Sequence, residues 1–203
     1  MNILLTNSTD LFAGGEDYVL LLARHLAGRG HTVTVSANPG HLLLAKCAAA
    51  GLATLPLRYE GMGRVFAVAA ALRKAVLERD IAVVHSNANY DRTVSAMAAG
   101  GVRRAHVASI HSAHSIQHNI THWLRNRWGI DHFIADADAV KEVLVTTDRI
   151  PAGKITVVGN VTRPGAFPVR DMRDQTVMKR YRASGGKGKV SSDSSDHTMV
   201  SAA

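Results

Sequence analysis

The chain has 203 residues, 46% of them hydrophobic and 5% aromatic, with one cysteine and a formal net charge of +8. That size supports one well-filled core and excludes two comfortable ones, and the lone Cys47, set among alanines, excludes an intrachain disulfide and reads as a small core residue. A basic surface favours anionic partners without choosing among nucleotides, phospholipid headgroups and nucleic acid, while no apolar run reaches bilayer-spanning length and no secretory leader is expected.

In chain order, a short apolar strand, Asn2–Thr6, runs through a loop into Gly14-Gly15 and a helix over Glu16–Gly28. This succession places unblocked backbone N–H groups at a helix N-terminus beside the carboxyl edge of a strand, a position suited to an anion and most often a phosphate. Val19, Leu22, Ala23 and Leu26 recur at helical spacing and predict one buried face. Gly28 and Gly30 stop the helix, and His31–Ala37 alternates as a strand does. A helix over His41–Ala50 and a strand over Leu52–Leu57 follow. Val65, Val68, Ala69, Leu72 and Val76 mark the next helix, Gly63–Arg79, which leads to a strand over Ile81–Ser86.

The second half repeats the alternation: helix Tyr90–Ala99, strand Ala105–Ile110, helix Ser115–Arg127, strand His132–Ala135, helix Ala137–Thr147 and strand Lys154–Val158. The fold class expected is α/β, a single doubly wound parallel sheet of about seven strands, Rossmann-like, with helices on both faces. Residues 1–168 are read as this domain. Residues 169–203, with Gly185-Gly-Lys-Gly-Lys and a serine-aspartate run, hold too few aliphatics to offset ordering and are read as a disordered tail.

Ligands of open parallel sheets bind beyond the carboxyl ends of the strands, where strand order reverses. Three loops belong there: the one with Gly14-Gly15, the Asn-rich Ser86–Arg92, and His111-Ser-Ala-His114. Each has a plain reading as well, a tight turn for the glycines and ordinary helix capping for Asn87 and Asn89. The sharper reading of the Asn-rich loop is a hydrogen-bonding surface for a sugar or polyol. A dinucleotide site is disfavoured because Gly-x-Gly-x-x-Gly is missing. His114, His118 and His122 would stack along one helical face, which suggests zinc, but no carboxylate or cysteine completes the set and no metal is expected. His111 ends a buried strand and points to the crevice, where it can donate a hydrogen bond or carry a proton. Trp123-Leu-Arg-Asn-Arg-Trp128 fits either a bilayer interface or a packed helix with a basic outer face, and packing is preferred.

At this point the residues resemble a known family. Ala13-Gly-Gly-Glu16 leading to Leu22–Val35, the strand Asp80–Ser86, Ala108-Ser-Ile-His111, Asp131–Val140 and Lys154–Asn160 with Phe167-Pro168 are together similar to the N-terminal half of a family-four glycosyltransferase of the two-domain GT-B fold. The resemblance implies transfer of a sugar from a nucleotide-sugar to an acceptor, with retention of configuration and no essential metal. It implies His111 as the catalytic residue near the transferred sugar and Gly14 and Gly15 against the donor phosphates. Glu16, Asn87, Asn89 and Tyr90 join them as donor-phosphate or acceptor-binding residues, and Asn160 stands at the hinge. The hinge usually reads Pro-Asn-Gly; here it is Gly159-Asn160-Val161.

No cofactor is implied, since the nucleotide-sugar is a donor substrate. The partners expected are that donor and a glycan or lipid acceptor, with no nucleic acid. The place expected is the cytoplasm, with peripheral contact at the inner membrane as an option and cell-envelope polysaccharide synthesis as the setting. The family's second domain carries a Glu-x7-Glu pattern and a basic pair, and no glutamate follows Glu142. The expectation is a truncated or frame-altered enzyme with little activity alone, the alternative being an acceptor-binding module completed by a partner chain.

Overall fold

A computed structural model describes residues 1–10 and 12–159. Seven strands alternate with six α-helices: β1 (Asn2–Thr6), α1 (Gly14–Gly28), β2 (Thr32–Ala37), α2 (Leu42–Ala49), β3 (Ala53–Pro56), α3 (Val65–Glu78), β4 (Val83–Ser86), α4 (Asn89–Ala99), β5 (Ala105–Ile110), α5 (Ile120–Trp128), β6 (His132–Ala135), α6 (Asp138–Thr146) and β7 (Ile155–Val157). The strands form one sheet in the order β3-β2-β1-β4-β5-β6-β7, every pair parallel. This is the doubly wound architecture expected. The expected tail, the 168/169 boundary and Asn160 lie outside the described residues.

β1 shows why the sheet is wound on both faces. Ile3 and Leu5 pack with Val19, Leu20 and Ala23 of α1 and with Leu43, Leu44 and Cys47 of α2. Leu4, between them, packs with Val68, Leu72 and Val76 of α3 and Val94 and Ala98 of α4. Alternate residues of a strand face opposite sides, so a strand apolar at every position needs helices on both. A third cluster, with Phe133, Ile110, Val140 and Leu144, fills the β5–β6–α6 end. Cys47 is wholly buried, and burial pushes its thiol up to about 11, as a core residue and not a nucleophile.

α1 ends as its sequence predicts. The N–H of Gly30 donates to Ala27 and that of His31 to Leu26, closing the last turn. Gly30 sits at φ +82, a conformation that a side chain resists. Two boundaries differ from expectation. A turn of 3-10 helix, Met62–Arg64, precedes α3. The helix expected from Ser115 begins only at Ile120, after an N-cap at Asn119 whose side chain accepts from the His122 N–H at 2.9 Å. Residues 112–119 are loop, so His114 and His118 share no helical face with His122, although the His118 and His122 rings do meet edge to face.

Candidate functional site

Strand order reverses between β1 and β4, and Thr6 lies beside Ser86 at their carboxyl ends. Crossovers leave in opposite directions from this point, which opens a crevice between the two following loops. Asp91 ties the loops together. It is wholly buried on the first turn of α4. Its carboxylate accepts from the hydroxyls of Thr6 and Ser8, both at 2.8 Å, and from the backbone N–H groups of Asn87 at 2.9 Å and Ala88 at 3.0 Å. Burial holds its carboxyl above the ordinary value, against the pull of these hydrogen bonds and of Arg92.

The loop before α1 has the same logic. Glu16 turns inward, where its carboxylate accepts from the Ala13 N–H at 2.7 Å, from Asn7 at 3.1 Å and from the Thr9 hydroxyl. Burial acts to raise its pKa, but the hydrogen bonds outweigh that and hold it low. This is half of a capping box. Ala13 at the N-cap has no side-chain acceptor to return to the first turn. Gly14 and Gly15 therefore present amides unblocked by a cap, and a Cβ built on either meets no atom of the described residues within 4 Å. Neither glycine has a positive φ. Packing among the described residues and backbone conformation thus demand glycine at neither position.

His111 follows β5 and lies on the same side of the sheet as α1. Its ring meets that of Tyr18, one turn beyond Gly14, edge to face with centroids 4.8 Å apart. Neither ring nitrogen of His111 has a hydrogen-bond partner among the described residues, and Asp136 Oδ2 stands 3.7 Å from Nδ1, beyond bonding length. Burial lowers its pKa, against the opposite pull of Asp136, and so favours the neutral ring. Beneath it, the Tyr18 hydroxyl lies 3.3 Å from Ser109 Oγ, which lies 2.7 Å from His85 Nε2.

A cavity of about 320 Å³ opens beside His111, lined by Asn87, Asn89, Arg92, Ser112, His114 and Ile116 among others. The Asn87 side chain donates to the carbonyls of Thr6 at 3.0 Å and His85 at 3.3 Å, and its own oxygen has no partner among the described residues. Asn89 Oδ1 accepts from Arg125 at 3.2 Å. Tyr90 turns elsewhere: its hydroxyl donates to the Gly61 carbonyl at 3.1 Å, and it lines none of this cavity. A larger concavity, about 560 Å³, runs along α3 past Phe66, Leu77 and Met97. It carries no residue from the strand ends, so the smaller cavity is the one placed for chemistry.

Asp91, Arg92, Tyr18 and Arg125 belong to this site but were not assigned by residue type and spacing. Only Asp91 had a readable signal, an acidic residue on the first turn of a helix. Among the described residues no group of three or more His, Cys, Asp or Glu is placed to hold a metal ion, and no helix is long and apolar enough to cross a membrane.

A family profile described as Glycosyltransferase Family 4 matches residues 12–163. No curated protein matches the chain. Among solved structures it is similar to a glycosyltransferase from Rickettsia africae ESF-5, at 16% identity and a TM-score of 0.67, covering 93% of this chain and 50% of that one. Anabaena Alr3699/HepE in complex with UDP-glucose matches at 17% identity and a TM-score of 0.67, covering 91% of this chain and 50% of that one. A sucrose-phosphate synthase from Thermosynechococcus elongatus matches at 18% identity and a TM-score of 0.59, over 87% of this chain and 52% of that one. At these identities the likeness is one of fold, and the chain spans about half the length of each.

Proposed function

The chain belongs to glycosyltransferase family 4, and from that premise we propose that it supplies the N-terminal, acceptor-side half of an enzyme that moves a sugar from a nucleotide-sugar to a glycan or lipid acceptor. The observation that carries this reading is that the open amides of Gly14 and Gly15 share one edge of the sheet with His111, whose ring nitrogens have no hydrogen-bond partner among the described residues and whose ring meets Tyr18 of the glycines' own helix. Amides at a helix start stabilise the charge that develops on a leaving diphosphate. A neutral His111 donates one ring N–H to the sugar as its bond to the diphosphate breaks, and Asn87 and Asn89 face the acceptor. Glu16 acts indirectly, by shaping the loop that presents the two glycines.

In this reading residues 1–168 form the acceptor-side domain, Asn160 lies at the hinge to the donor-binding half, and transfer retains configuration. Donor contacts are then divided between two halves, so the chain alone turns over little or no sugar nucleotide. It works in the cytoplasm, in cell-envelope polysaccharide synthesis, with peripheral membrane contact where the acceptor is a lipid.

The test is titration of UDP and GDP into the 203-residue chain, followed by backbone amide resonances. Saturable shifts at Gly14 and Gly15, with the His111 ring responding, are expected. Shifts confined to other regions, or none at these amides, would overturn the assignment.

A further inference from the structure

We propose that the cavity beside His111 is an oxyanion subsite in which Arg92 holds a phosphate or carboxylate group of the acceptor. The inference rests on the reading above in one respect, that the sugar acceptor occupies this crevice.

Arg92 lines the cavity from the first turn of α4, with only 5% of the residue exposed. Its guanidinium donates no hydrogen bond to any described residue, and Nε is buried without a partner. No carboxylate among the described residues pairs with it within 4.0 Å. A buried cation left this way is costly, and proteins keep such an arrangement where a ligand completes it.

Arg125, its neighbour, is the internal control. It is equally buried, at 6% exposure, and fully engaged. It donates to Thr93 at 2.9 Å, Asn126 at 3.0 Å, Ile116 at 3.1 Å and Asn89 at 3.2 Å. Both nearby carboxylates are likewise committed. Asp91 accepts from four donors of the two loops, and Asp148 from Ser115 at 2.5 Å and the Ile116 N–H at 3.0 Å. They temper the charge of Arg92 from a distance and satisfy none of its N–H groups.

The surroundings favour an oxyanion over a neutral hydroxyl. A guanidinium fork matches phosphate or carboxylate with two parallel hydrogen bonds. Ser112 and His114, beside the His111 ring, add donors at the cavity lip. A volume of about 320 Å³ holds a monosaccharide-sized ligand. Gly14 and Gly15 are not among the lining residues, so the proposed anion lies apart from the amides assigned to the donor diphosphate in that reading.

The experiment follows the Arg92 Nε–Hε resonance of the wild-type chain during separate titrations with inorganic phosphate, acetate and UDP. Phosphate or acetate is expected to shift this resonance and the His111 ring saturably, while the Gly15 amide stays put. The stronger of the two anions tells a phosphorylated acceptor from an acidic sugar. Arg92→Met is expected to weaken that binding by at least about tenfold. An Arg92 resonance unmoved by both anions, one moved by UDP alone, or undiminished binding by Arg92→Met would each overturn the proposal. Should Arg92→Met fail to fold, the wild-type titration decides by itself. Failure of UDP to move Gly14 and Gly15 would sink the transferase reading without touching this result.

Discussion

Tyr18 and His111 stand edge to face, with ring centroids 4.8 Å apart. They are 93 residues apart in the chain, yet their contact joins the start of α1 to the end of β5. The half-buried Tyr18 ring also covers part of the imidazole, and burial is the leading cause of its lowered pKa.

Removing that screen should return His111 toward its ordinary value. Tyr18→Ala is expected to raise the His111 pKa and to cost about 1–2 kcal/mol of stability. Tyr18→Phe should leave the pKa near wild type, because the ring remains and only the long contact to Ser109 is lost. Ring-proton NMR titration of the three proteins decides; a Tyr18→Ala curve that overlays the wild type would refute the screening.

Gly15 separates folding from ligand approach. A Cβ there meets no described residue within 4 Å and the position is helical, so Gly15→Ala should hold or raise stability by about 0.5–1 kcal/mol. Binding of a nucleoside diphosphate should fall by about tenfold or more, since the methyl group occupies the space over the amides. Urea unfolding and the UDP titration on one preparation measure both. Equal losses of stability and binding would assign the glycine a structural role.

Asp91 is the clasp of the crevice. Asp91→Ala strands two hydroxyls and two backbone N–H groups in the interior, and about 3–5 kcal/mol of destabilisation is expected. Asp91→Asn keeps the volume and part of the acceptor capacity, so its loss should be smaller. Chemical denaturation ranks them, and near-wild-type stability of Asp91→Ala would show the clasp to be dispensable.

Two buried histidines set an acid limit. Burial lowers His106 to about 4 and His85 to about 3, each from an ordinary 6.5. The unfolded chain binds their protons first, so unfolding takes up protons below pH 6.5 and stability falls as pH falls. The loss runs from pH 6.5 down to about 4 for His106 and about 3 for His85. Within that window each contributes a slope of about 1.4 kcal/mol per pH unit. His106→Asn should remove one such contribution. Urea midpoints from pH 7 to pH 5 for wild type and variant provide the comparison, and parallel slopes would exclude the histidine as the cause.

The alternation of apolar strands and amphipathic helices was legible because burial on both faces leaves strands with no polar side. The placement of the loops that carry Gly14, Gly15 and His111 was legible for a related reason. A doubly wound sheet brings the loops after β1, β4 and β5 to one edge, whatever their sequence separation. The start of α5 was not. Ser115 and Ile116 continue the spacing of a helix, yet Asp148, more than thirty residues on, takes the Ser115 hydroxyl and the Ile116 N–H. Arg125 takes the Ile116 carbonyl. Groups bonded this way are withdrawn from a helical ladder, and local propensity carries no trace of them.

The order of residues by itself determined the sheet, its winding and the family, because these follow from local periodicity and from motifs in succession. The tertiary structure alone decided how each polar side chain is employed. Glu16 and Asp91 are consumed in holding loops, Tyr90 is turned to Gly61, and Arg92 is left beside His111 with its buried Nε unmatched among the described residues. The reason is physical: a buried hydrogen bond needs partners brought together by the whole fold, whereas a buried apolar face needs only the right spacing along one element.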